Sequence, residues 1–160
     1  SDFARMPKPI FKEINLYNVI SRSLKLNELS ERKIEISITK ESVFKLNGDE
    51  EQLNRVFLNI IKNSIESIYQ KNNKSVDFKG KIDIEIKQDS DYIYVEITDD
   101  GIGFDHVDKT KMLTPYYTTK KKGTGLGLSV VTKIINDHNS TIVFNSIKEG
   151  AMIKITLPRS

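Results

Sequence analysis

The chain has 160 residues, 38% hydrophobic and 29% charged, with 25 basic against 22 acidic side chains and a formal net charge of +3. That is enough for one domain with a proper core and too little for two. The charge excess is too slight to argue for a nucleic-acid partner, and no run approaches the roughly 18 apolar residues of a membrane-spanning helix. The absence of cysteine excludes disulfides, thiolate catalysis and Cys-ligated zinc.

Near the start, Met6-Pro7-Lys8-Pro9 sets two prolines close together with no apolar period. Residues 1–14 are therefore expected to be a linker and 15–160 the domain. Asn15 precedes a helical pattern through Val19, Ile20, Leu24 and Leu29, ending near Arg32. Residues 33–38 alternate strictly, as a half-buried strand does, and 43–46 form a second short strand. Asp49 reads as the N-cap of the longest helix, 50 to about 70, with acids in its first turn. Ile82, Ile84 and Ile86, then Ile93, Val95 and Ile97, recur at period 2 and make a hairpin. From 98 to 125 no period holds, and a stretch of that length inside a compact domain is usually functional or mobile. A helix over 129–137 and a last hairpin, 141–145 with 152–157 around Glu149-Gly150, complete the chain. Strands with a single apolar face need a helical layer to cover it, so the expected class is α+β: a two-layer α/β sandwich with a largely antiparallel or mixed sheet and three helices.

Three stretches carry chemistry. On the long helix, Gln52, Arg55, Asn59, Asn63, Glu66 and Gln70 fall along one line, opposite Leu53, Phe57, Ile60, Ile61, Ile65 and Ile68. Such a stripe is ordinarily a solvent face. Asn, however, is a poor helix former, and its amide oxygen is a hard neutral ligand suited to a Mg²⁺ that already carries phosphate charge. At the end of the first hairpin, Asp99-Asp100-Gly101-Ile102-Gly103 reads either as a plain turn or as a carboxylate placed to accept from an exocyclic amine. Finally, Lys120-Lys121-Lys122 runs into Gly123-Thr124-Gly125-Leu126-Gly127-Leu128 at a helix start. This is a basic loop, or a phosphate site in which backbone N–H groups face an anion.

In this order the pieces resemble the catalytic ATP-binding domain of sensor histidine kinases, in the GHKL or HATPase_c superfamily shared with gyrase B, MutL and the large heat-shock ATPase chaperones. Asn59 to Asn63 resembles the N-box, Asp99 to Gly103 the first glycine box, Pro115-Tyr116-Tyr117-Thr118-Thr119-Lys120 the aromatic box of the lid, and Gly123 to Leu128 the second glycine box. Residues 3–9 and the Pro-Tyr-Tyr-Thr-Thr-Lys box are similar to the nitrogen-regulation kinases of the NtrY type.

The resemblance implies a Bergerat fold with a long ATP lid, disordered between about 105 and 122 without nucleotide. It implies Mg²⁺ on Asn63, phosphates facing Asn59, and adenine on Asp99, with Gly101 and Gly103 close to the base. Lys120 and the N–H groups of Gly123, Thr124, Gly125, Leu126, Gly127 and Leu128 would hold phosphate. The implied cofactors are ATP and Mg²⁺. The implied function is transfer of the γ-phosphoryl group to a histidine on a separate dimerisation domain, which residues 1–14 would link to this one, in a kinase serving a response regulator. Neither His106 nor His138 fits the acceptor motif, and each is expected at the surface. A monomer without autophosphorylation or nucleic-acid binding follows. The placement is cytoplasmic, with the parent protein open to anchoring in the inner membrane. The sequence departs from the family at Glu66, where a basic residue is common, and mildly at Asp100 and Gly150-Ala151. Another ATPase of the superfamily, or a degenerate nucleotide-binding or docking module, stands as the alternative.

Overall fold

The period-2 residues build the sheet. In β4 (Gly80–Gln88) and β5 (Tyr92–Asp99), antiparallel pairing sets Ile84 opposite Ile97 and Ile86 opposite Val95. β5 pairs antiparallel with β7 (Gly150–Pro158), which places Ile153 opposite Ile97 and Ile155 opposite Val95, and β7 pairs antiparallel with β6 (Thr141–Ile147). β2 (Ile34–Ile38) joins β4 in parallel, so the sheet is mixed, in the order β2-β4-β5-β7-β6. A computed structural model gives this architecture and describes residues 6–28, 33–72, 77–104 and 127–160.

Among the described residues three helices cover one face of the sheet: α1 (Leu16–Glu28), α2 (Glu50–Lys71) and α3 (Gly127–Asp137). Phe57, Ile60, Ile61 and Ile68 of α2, Leu16 and Ile20 of α1, and Val131, Ile134 and Ile135 of α3 share one apolar cluster with the strand isoleucines. Each such side chain contributes about 1.5–3 kcal/mol relative to exposure, which makes α2, packed against both other helices, the hub of the layer. The opposite face of the sheet is polar, with Glu85, Glu96 and Lys154 side by side across three strands. The two-layer sandwich expected from the sequence is the fold observed.

Two local features differ from the expected elements. Lys12–Asn15, within the stretch read as linker, forms β1 and pairs antiparallel with β3 (Lys45–Gly48) in a small separate sheet. The strand expected over 43–46 begins later, at Lys45. Asn15 explains the shift: its Oδ1 accepts from Phe44 N–H at 3.0 Å and from Tyr17 N–H at 3.1 Å. One side chain thus starts α1 and takes a backbone donor that a longer ladder would need. α1 is described to Glu28, and the expected extension to 32 lies outside the described residues.

Candidate functional site

α2 begins on Asp49, as expected, with Gln52 N–H bonded to its Oδ1 at 3.0 Å. The polar line on this helix is not a uniform solvent face. Gln52 is buried and donates from Nε2 to Pro7 O at 2.9 Å, whereas Asn59, Asn63 and Glu66 are half-buried. Asn59 and Asn63 lie one turn apart on α2, and directly after them Ser64 and Ser67 meet the turn that leaves β5.

Asp99 ends β5 and is 5% exposed. Its Oδ1 accepts the Gly101 N–H at 2.9 Å, and the Ser64 hydroxyl donates to the carboxylate from α2. Burial pushes the Asp99 carboxyl above its usual range, while the Gly101 N–H, the Ser64 hydroxyl and the Ala151 N–H partly offset that by stabilising the charged form, and the nearby Asp100 adds to the rise. Asp100 faces away from this centre and closes the outer side of the turn: its Oδ1 accepts from Lys81 N–H at 2.9 Å and its carbonyl from Lys71 Nζ at 3.1 Å.

The glycines are explained by close approach. A Cβ on Gly101 would run into the Ser67 hydroxyl, and one on Gly103, at φ 73°, would lie 2.7 Å from Gly150 O. Gly150 is itself at φ 115° and packs on the Asp99 backbone, so β7 begins in contact with the turn. Ile102 N–H bonds Ser67 Oγ at 2.9 Å, and Phe104 N–H bonds Ser146 Oγ of β6 at 2.8 Å. Phe104 also meets Phe144 edge to face at 5.8 Å.

Of the site residues expected from the sequence, Asn59, Asn63, Asp99, Gly101 and Gly103 fall on α2 and the adjoining turn. Gly127 and Leu128 open α3, which packs beside α2. Lys120, Gly123, Thr124, Gly125 and Leu126 lie outside the described residues, as do the aromatic box, the lid and His106. Ser64, Ser67, Ser146 and the close approach of Gly150 were not anticipated. Serine inside a helix or strand carries no pattern of its own, and the only available signal was the spacing of Ser64 and Ser67 one turn apart behind Asn63.

The expectation that His138 is a surface residue is corrected. It is 5% exposed, covered edge-on by Phe11 with ring centroids 5.2 Å apart. Its Nε2 accepts the Asp49 N–H at 3.0 Å, which leaves Nδ1 as the protonated nitrogen, 2.8 Å from Ile134 O. Both ring nitrogens are engaged in joining α3 to the start of α2.

A buried carboxylate on a glycine turn is thus set against a helix face that carries two asparagines, and the sequence comparison identifies the family that this sandwich belongs to. Residues 48–160 match the Histidine kinase-, DNA gyrase B-, and HSP90-like ATPase family, HATPase_c, and the chain belongs to that family. It is 30% identical over 159 residues to the nitrogen regulation protein NtrY of Azorhizobium caulinodans, covering 98% of this chain and 20% of that protein. It is 33% identical over 166 residues to the sensor histidine kinase ZraS of Salmonella typhimurium, covering 99% of this chain and 34% of that one. The chain therefore spans about a third or less of the length of these relatives. Among solved structures, the catalytic domain of the histidine kinase ThkA superposes with a TM-score of 0.79 at 26% identity, covering 94% of this chain and 96% of that one.

Proposed function

We propose that this chain is the ATP-binding catalytic unit of a sensor histidine kinase, with the phosphoacceptor histidine on a separate dimerisation domain joined through residues 1–14. The observation that carries the reading is Asp99. A carboxylate held in a buried turn by donors alone is left with acceptor capacity, which suits the exocyclic amine of adenine. ATP is the cofactor implied by the family, and the relatives' names supply the kinase activity.

On this reading Asp99 receives the base, Gly101 and Gly103 let the backbone pass close to it, Asn59 faces the phosphates and Asn63 ligates Mg²⁺. Among the described residues no three His, Asp or Glu side chains converge as a metal cage. A neutral amide oxygen on α2 fits a cation that arrives already bound to the triphosphate. When bound, Mg²⁺ neutralises phosphate charge during in-line transfer. Gly127 and Leu128 at the start of α3 would direct N–H groups at phosphate, helped by Gly123, Thr124, Gly125 and Leu126, with Lys120 closing over the nucleotide. The buried ring of His138, bonded at both nitrogens, supports an acceptor elsewhere. A response regulator would be the onward partner; the histidine kinase ThkA has been solved in complex with one, TrrA. The isolated chain is expected to be a monomer that binds Mg-ATP without labelling itself. Among the described residues no helix is long and apolar enough to cross a membrane.

Calorimetry with a non-hydrolysable ATP analogue tests the reading. Asn63→Ala and Asp99→Asn are each expected to lower affinity about a hundredfold or more, since each strips a buried polar contact from the ligand. A parent chain that binds no nucleotide would instead support the docking-module alternative. A robust ATPase rate without any partner would support the other superfamily ATPases.

A further inference from the structure

The turn between Asp99 and Phe104 is held from two sides. Its own aspartate takes the Gly101 N–H at 2.9 Å. From α2, the Ser67 hydroxyl takes the Ile102 N–H at 2.9 Å, and from β6 the Ser146 hydroxyl takes the Phe104 N–H at 2.8 Å. The fixed spacing of the two sides comes from glycines: Gly101 abuts Ser67, and Gly103 abuts Gly150, in each case with no room for a side chain. The two hydroxyls thus sit where a helix and a strand of the rigid scaffold touch the turn that carries Asp99. Alanine at either position would leave a turn N–H without its partner and let the peptide rotate, moving the carboxylate by the few tenths of an ångström that matter in a site.

We propose that Ser67 and Ser146 are positioning residues for base recognition, clamping the 99–104 turn between α2 and β6 so that Asp99 is presented at a fixed distance and angle to the base. This rests on the ATP reading of Asp99. The clamp acts on the base end and leaves the phosphate end alone, so its signature is a change in base preference.

The test measures affinities for ATP and for ITP, which carries a carbonyl in place of the exocyclic amine, in the parent and in Ser67→Ala, Ser146→Ala and Ser146→Thr. The parent is expected to prefer ATP. Each alanine variant should bind ATP about three- to tenfold more weakly, the worth of one hydrogen bond, with ITP nearly unchanged, so that the preference shrinks. Ser146→Thr keeps the hydroxyl on a strand that suits threonine and should bind like the parent. Unchanged ATP affinity in both alanine variants overturns the inference. So does an equal loss for ATP and ITP, which would mark a merely structural role. A parent that binds neither nucleotide overturns the ATP reading and the clamp together, whereas a parent that binds and variants that match it overturn the clamp alone.

Discussion

α2 meets the rest of the chain at two carboxylates, Asp49 at its N-terminal end and Asp99 against its C-terminal half, and the two are held differently. Asp49 is half-buried and closes main chain onto main chain: it accepts Gln52 N–H at 3.0 Å and Ile10 N–H at 2.8 Å, while its own N–H goes to His138 Nε2. Three segments are fixed by one residue, and Lys12 and Arg22 add long, exposed pairs to the neighbouring Glu50 at 3.8 and 3.6 Å. Asp99 is buried more deeply, and burial works against its charge. The first carboxylate stabilises the fold. The second costs stability when ionised, and such a cost persists where a function uses the group.

The largest expected effect on stability breaks the first joint. Asp49→Ala removes the helix cap and the Ile10 tie, and should cost roughly 1–2 kcal/mol in urea denaturation. The ATP affinity of the folded fraction should stay within about twofold of the parent, a difference of about 0.4 kcal/mol or less. A matching loss of affinity would mean that the two joints are coupled through the helix, and the contrast would fail.

A smaller effect sharpens the second joint by its sign. The folded-state pKa of Asp99 lies above the ordinary 3.8 because of burial, so between the two values the folded chain holds a proton that the unfolded chain has released. This contribution to stability is complete below the unfolded value and is lost as pH rises through the folded one. Urea midpoints measured from about pH 4 to about pH 8 should therefore show Asp99→Asn gaining on the parent with rising pH. ATP affinity of the parent should run the opposite way, rising as the carboxylate ionises and becomes a pure acceptor. Parallel pH profiles for parent and variant would remove the claim that burial strains Asp99.

The smallest effect is a control on α3, at an ion pair on its partly exposed side. Lys133 and Asp137 pair at 3.2 Å one turn apart on a partly exposed surface. Lys133→Ala should change stability by less than about 0.5 kcal/mol and leave nucleotide affinity alone.

Much of this was readable along the chain because it is local. The isoleucines at period 2 in β4 and β5 could be placed from spacing alone, and Asp49 before Glu50 and Glu51 announced the start of α2. Asp99 before Gly101 could be placed at a strand end. β1 could not, because its four residues acquire a ladder only from β3, far along the chain, and two prolines just before it suggested a linker. His138 was misread for the same reason. Its ring is covered by Phe11 and its Nε2 is bonded by the Asp49 N–H, neither of them near it in sequence. Ser67 and Ser146 looked neutral until the turn was seen lying between them.

The division follows from the range of the forces. Alternation, capping and glycine turns are written in neighbouring residues, so the amino-acid order alone specified the strands of the main sheet, the helices, the two-layer class and the positions of Asn59, Asn63 and Asp99. Which polar groups would be dry, and which donors would meet which acceptors, depended on surfaces brought together from distant parts of the chain. Burial gave Asp99 its raised pKa, and packing of α2 against the turn gave it Ser64 as a donor. Desolvation and hydrogen-bond geometry act across space, and neither exists until the layers have closed.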